Sequence, residues 1–85
     1  MRIALVSTER YPVPPIRGGA VQTYIASVAP YLARRHDVTV IGAPDPDLPR
    51  TEIRDGVQYV RLDAQPDDET SYWWALMEYL SHEDF

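Results

Sequence analysis

The chain predicts an α/β fold, an incomplete Rossmann-like parallel sheet of three strands with flanking helices, and three observations carry that prediction. Arg2-Ile3-Ala4-Leu5-Val6-Ser7 and Asp37-Val38-Thr39-Val40-Ile41-Gly42 are short apolar runs of the kind that forms strands buried on both faces. Between them Val21, Tyr24, Ile25, Val28, Ala29 and Leu32 recur at the i, i+3, i+4, i+7 spacing of one helix face. Strand, helix, strand in that order makes a right-handed βαβ unit the natural topology.

Taken in order, the first run is the first strand. The first helix begins at Ala20, and Arg34 and Arg35 fall where positive charge complements its negative end. Pro30 lies inside it, lacks the N–H that would bond back to Ala26 and crowds that carbonyl, so a kink or a two-part helix is expected. After the second strand, Pro44, Pro46 and Pro49 exclude regular structure up to Arg50. Thr51-Glu52-Ile53-Arg54 and Val57-Gln58-Tyr59-Val60-Arg61-Leu62 then read as two β segments around a type I′ turn at Asp55-Gly56, the later one being the third sheet strand. Asp63 to Thr70 is an acidic linker. Tyr72, Trp73, Leu76, Met77 and Leu80 give a last, strongly apolar helix whose aromatic residues belong to a core more readily than to a sugar-stacking platform, although the core it needs is not evident in the chain. Three strands and two helices also leave one sheet edge open, so residues 1–85 read as a partial domain.

Size and composition narrow the function. A chain of 85 residues is one domain at most, of a size that buries only roughly 60–65% of the surface exposed when unfolded. There is no cysteine, which excludes disulfides and thiolate metal sites. His36 and His82 are far apart and outside any ligand-spaced cluster, so no metal and no cofactor is expected. The first apolar run is too short for a signal peptide or a membrane span, which makes the cytoplasm the default location. Net charge is −5, distributed as +3 over residues 1–44 and −8 over residues 45–85. All eight basic residues are Arg, so the chain has neither a P-loop lysine nor the mixed basic stripe of a nucleic-acid binder.

One segment bears on chemistry. The loop Tyr11-Pro12-Val13-Pro14-Pro15-Ile16-Arg17-Gly18-Gly19 joins the first strand to the first helix. Glycines at a helix entry remove Cβ atoms where first-turn N–H groups have no intrahelical partner, so an anion such as a sugar-nucleotide diphosphate can approach the backbone. The same glycines also suit an ordinary turn. A dinucleotide fingerprint is not matched, because Ser7 to Arg17 separates the strand from Gly18-Gly19 and no third glycine follows at the required spacing. Arg17 could pair with a phosphate, and Glu9 and Arg10 flank the loop, but charged loop residues are ordinarily solvated and none is assigned a catalytic role.

The strand, the loop through Gly18-Gly19-Ala20, the stretch Leu32-Ala33-Arg34-Arg35-His36-Asp37-Val38-Thr39-Val40 and the later Asp55-Gly56-Val57 together resemble the N-terminus of a family 4 glycosyltransferase, of the branch associated with spore coats. The resemblance covers residues 2 to 62 and implies the two-domain GT-B fold. It implies that the first domain mainly holds the acceptor while its glycine loop reaches into the cleft beside the donor diphosphate, which carries over to Gly18 and Gly19 alone. The family's catalytic histidine, and the paired glutamates and basic residues of the donor-binding domain, have no counterpart in these residues; neither His36 nor His82 matches. The resemblance therefore implies an N-terminal fragment of a retaining, nucleotide-sugar-dependent transferase, acting on a glycan or cell-envelope hydroxyl and inactive by itself. The alternative is a small non-enzymatic spore coat or interaction protein that docks or self-associates through residues 72–80.

Overall fold

In a computed structural model, described for residues 1–65 and 68–85, the chain forms β1 (Arg2–Val6), α1 (Ala20–Leu32), β2 (Asp37–Gly42), β3 (Thr51–Arg54), β4 (Val57–Arg61) and α2 (Glu69–Ser81). Pro66 and Asp67, in the acidic linker, lie outside the described residues. The sheet order is β1-β2-β4-β3. The three expected strands, β1, β2 and β4, run parallel, with Leu5 beside Val40 and Val40 beside Tyr59. The earlier β segment adds a fourth strand, antiparallel at the edge, with Arg54 opposite Val57. Asp55 and Gly56 at its turn have φ of 50° and 77°, the positive values that a two-residue I′ hairpin requires at both positions.

Alternation along the strands builds two apolar layers. Val38 and Val40 of β2, Val57 and Tyr59 of β4, and Ile3 and Leu5 of β1 meet Ile25 and Ala29 of α1 on one face. On the other face Ile41, Ala43 and Leu62 meet Tyr72 and Leu76 of α2, with Ala4 beside them. The sheet is thus sandwiched between the two helices. Burying each large side chain contributes roughly 1.5–3 kcal/mol, so both layers are needed by so small a chain.

The structure corrects several expectations. β1, expected to be buried on both faces, is only half-buried, and Val6 at its end is 39% exposed, whereas β2 is buried from Val38 to Gly42. α1 is continuous through Pro30 rather than split in two, although Pro30 has no N–H to return to the Ala26 carbonyl. Its buried face is Gln22, Ile25 and Ala29, whereas Val21 and Tyr24 are exposed. Arg34 and Arg35 lie in the turn beyond Leu32, leaving the last helical turn without a basic residue. α2 does find a core. Tyr72 and Leu76 are buried, but Trp73, Trp74 and Met77 of the same apolar helix are exposed. The side chain of Asp68 caps it by accepting from the Ser71 N–H at 3.2 Å.

Candidate functional site

The loop between β1 and α1 runs past the carboxyl ends of β1 and β2, the edge at which open parallel sheets hold ligands. A hollow of about 300 Å³ opens there, lined by Glu9, Arg10, Tyr11, Pro12 and Arg17 from the loop and by Ala43 to Pro46 from the segment after β2. Gly18 and Gly19 stand beside it at the entry to α1, with φ of 91° and 102°. Only glycine adopts such values without strain.

The two glycines are not equivalent. Gly18 is exposed and its N–H donates to the Pro15 carbonyl at 3.1 Å, so that donor is already engaged. A Cβ on Gly18 would meet nothing within 4 Å. A Cβ on Gly19 would overlap Gln22 Oε1, stand 2.9 Å from Gln22 Cδ and 3.2 Å from Tyr11 Cδ2. Gly19 is therefore required both by its backbone angle and by the side chain packed over it. It caps α1 without a side-chain hydrogen bond, and the first turn contains no acid, so nothing in the helix offsets its positive end.

Gln22 is the residue that sequence reasoning missed. It is 2% exposed, and its Nε2 donates to Thr8 Oγ1 at 2.8 Å and lies 3.3 Å from both Ser7 Oγ and the Tyr11 carbonyl. One helical side chain thus fastens the loop to the end of β1. Ser7 is in turn held by the main chain, its N–H donating to the Ile41 carbonyl at 2.8 Å, and by Tyr72, whose hydroxyl donates to the Ser7 carbonyl at 2.6 Å. Burial pushes the Tyr72 phenol well above its usual pKa, with the nearby Glu9 carboxylate adding to the shift. The available signal was the spacing Gln22, Ile25, Ala29, a polar residue in register with an apolar face.

The charged residues are distributed differently from the expectation of solvated loops. Arg17 forms a two-pronged pair with Asp45, at 3.0 and 3.1 Å, and also donates to Asp47. Hydrogen bonding from Arg17 holds the Asp45 carboxyl below the usual carboxylate range, and the two acids raise the guanidinium in return. The cation nearest the glycines is thus occupied by the chain's own acids. Glu9 and Arg10 line the hollow as the loop position suggested. Deeper down, Arg61 at the end of β4 donates to the Val13 carbonyl at 2.8 Å, to the Pro49 carbonyl at 2.8 Å and to Glu52 at 2.9 Å. Two arginines therefore stitch the glycine loop to the segment after β2, Arg61 from below and Arg17 from above. His36 follows α1, and His82 caps α2 at a different place in the fold.

This architecture, a mixed sheet between helices, is shared with a GT-B glycosyltransferase. It superposes with a TM-score of 0.68 on sucrose-phosphate synthase from Thermosynechococcus elongatus, over 95% of this chain and 24% of that one, at 20% sequence identity. In sequence the chain is homologous to "Spore coat protein SA" of Bacillus subtilis, 54% identical over 63 residues, which are 74% of this chain and 17% of that protein. "Putative glycosyltransferase YtcC" of the same organism is 45% identical over 62 residues, 73% of this chain and 15% of that one. The chain thus spans about a sixth of the length of the curated relatives it matches. No protein-family model matches it.

Proposed function

We propose that the chain is the N-terminal part of a retaining glycosyltransferase that moves a sugar from a nucleoside diphosphate sugar to a hydroxyl acceptor, and that these 85 residues alone do not turn over. The observation that supports this reading is the uncapped N-terminus of α1, opened by Gly18 and Gly19 at the carboxyl edge of the parallel strands. A departing diphosphate gathers negative charge as its bond to the sugar breaks, and aimed N–H groups at a helix entry stabilise such charge most in a site closed to water. The hollow is open to solvent and Arg17, one of the two cations lining it, is already paired, so this chain forms one wall of a cleft. Gly18 and Gly19 are assigned to the donor diphosphate side, the acceptor is a glycan or cell-envelope hydroxyl, and the cytoplasm is the proposed compartment.

Amide chemical shifts on titration with UDP- and GDP-sugars test the assignment. The expected result is perturbation confined to Gly19, Ala20 and Val21, with an affinity no better than about millimolar. Shifts elsewhere, or none, would remove the glycine loop from the site, and a transfer assay with real turnover would refute the claim that the chain is incomplete for catalysis.

A second reading, a non-enzymatic coat or interaction protein that docks through its last helix, is favoured by one observation. Trp74 is 72% and Met77 66% exposed on α2, more than a soluble helix ordinarily leaves to water. Among the described residues no helix is long and apolar enough to cross a membrane. The spore coat is the compartment this reading assigns.

A further inference from the structure

We infer that Tyr72 of α2 and Gln22 of α1 are a coupled pair of positioning residues that set the glycine entry of α1 from opposite faces of the sheet, with the Ser7–Thr8 peptide as the link between them. The consequence for a donor diphosphate rests on the assignment of Gly18 and Gly19 to that side of the cleft.

The link is continuous in hydrogen bonds. The Tyr72 hydroxyl donates to the Ser7 carbonyl at 2.6 Å, and the Ser7 N–H donates to the Ile41 carbonyl at 2.8 Å. Ser7 is thus held from the α2 side through its oxygen and from β2 through its nitrogen. Its carbonyl belongs to the planar peptide unit whose other end is Thr8, so fixing the oxygen fixes the plane from which Thr8 departs. Thr8 Oγ1 then accepts from Gln22 Nε2 at 2.8 Å, the shortest of three contacts of that nitrogen, with Ser7 Oγ and the Tyr11 carbonyl at 3.3 Å. The oxygen of the same amide stands over Gly19, where a Cβ would overlap it. Tyr72, Gln22 and Ser7 are 1%, 2% and 3% exposed, so water does not replace a partner that is lost, and a displacement at one end is passed on.

The two ends belong to different layers. Tyr72 packs with Ile41, Ala43, Leu62 and Leu76 on one face, whereas Gln22 shares its helix with Ile25 and Ala29, which cover the other. Ser7 and Thr8 follow directly on β1, and at that edge a side chain from each face reaches the same two residues. The link lies inside the molecule and uses no open surface.

This anchorage differs from that of the two arginines. Arg61 bonds the Val13 carbonyl and Arg17 bonds Asp45, which holds the middle and the far side of the loop. Gln22 instead ties the start of the loop, at Thr8, to its end, at Gly19, and Tyr72 fixes the peptide on which that tie rests. Aimed N–H groups stabilise developing charge only when they are already held in place, and here the holding is done by buried side chains that touch no ligand. The coupling is reciprocal, so whatever moves Gly19 bears on Tyr72 as well.

Amide chemical shifts and hydrogen exchange of the ligand-free 85-residue chain test the proposal. Tyr72→Phe removes the hydroxyl and keeps the ring, so the apolar layer around it is retained. The expected result is a displaced Gly19 amide signal and faster local exchange at Thr23, whose N–H donates to the Gly19 carbonyl at 3.0 Å, by about threefold to tenfold, the share of one hydrogen bond. Leu76→Val, 4% exposed in the same layer but without a bond to Ser7, leaves both unchanged. A double-mutant cycle of Tyr72→Phe with Gln22→Ala in urea unfolding is an independent measure: together they lower the folded-to-unfolded ratio by at least about twofold less than the product of their separate effects. Gly19 and Thr23 unmoved by Tyr72→Phe, moved equally by Leu76→Val, or separate effects that simply multiply, would each overturn the proposal. If UDP- and GDP-sugars leave the wild-type glycine signals in place while these effects are present, the coupled pair stands and the donor assignment falls.

Discussion

Replacing Gly19 with Ala separates two contributions that the structure assigns to one position. The first is conformational: a non-glycine residue at φ 102° costs about 1–3 kcal/mol. The second is steric. The new methyl overlaps Gln22 Oε1, a side chain 2% exposed, and displacing it breaks the donation to Thr8 and the contacts with Ser7 and Tyr11. The Gln22 amide has two hydrogens to donate, and with a net contribution of about 0.5–1.5 kcal/mol for each hydrogen bond their loss adds about 1–3 kcal/mol. The sum, about 2–6 kcal/mol, is a large fraction of the stability of any small domain. Gly18→Ala is the internal control, because its φ of 91° brings the same strain but its Cβ would meet nothing within 4 Å. Urea unfolding of both variants should find Gly19→Ala less stable by about 1–3 kcal/mol, the share of the Gln22 network. A double-mutant cycle completes the test: on a Gln22→Ala background the penalty of Gly19→Ala falls to that of Gly18→Ala. Equal penalties for the two glycines, or a Gly19 penalty unchanged by Gln22→Ala, would refute the packing argument and leave both as ordinary turn glycines.

Tyr72→Phe removes the hydroxyl that serves the buried Ser7 carbonyl and should lower stability by about 1–2 kcal/mol in urea unfolding. Because burial raises the Tyr72 pKa in the folded state, its contribution is complete below pH 10 and is lost as pH rises beyond that value; the variant should show a flatter alkaline decline in a pH series of unfolding curves. At the other end of the scale, Asp45 has its pKa depressed by Arg17, so its contribution is present above the unfolded value of 3.8 and is lost as pH falls through the lower folded value. Asp45→Asn should therefore reduce the acid sensitivity of unfolding below about pH 4. Arg61→Met should lower stability by about 1–3 kcal/mol in denaturant unfolding, because it leaves the Val13 carbonyl without its donor while Glu52 keeps its pairing with Arg54.

How far the site was legible depends on what kind of signal each residue carries. Gly18 and Gly19 were visible because glycine before a helical period announces an unusual backbone, and both have positive φ. Gln22 was not, since a polar residue inside an apolar period looks like an interruption until Ser7, Thr8 and Tyr11 are seen around it. The period on α1 placed Ile25 and Ala29 correctly but swept in Val21 and Tyr24, because periodicity finds an apolar stripe without saying how much of it the sheet is wide enough to cover. Arg61 read as part of a strand; its buried role depends on carbonyls 48 and 12 residues away.

By itself the sequence determined the local elements and their order: two β-branched runs around a helical period, a hairpin at Asp55-Gly56, and a glycine pair at a helix entry. These depend on backbone preference and on the spacing of neighbours along the chain, which a linear string records. Tertiary structure alone decided that β2 is buried along its length while β1 is half-buried, that Arg17 spends its charge on Asp45 and Asp47, and that α2 divides into a buried face and an exposed flank. Each of those outcomes rests on contacts between residues distant in sequence, where burial and pairing are set by which surfaces meet and not by what any segment prefers alone.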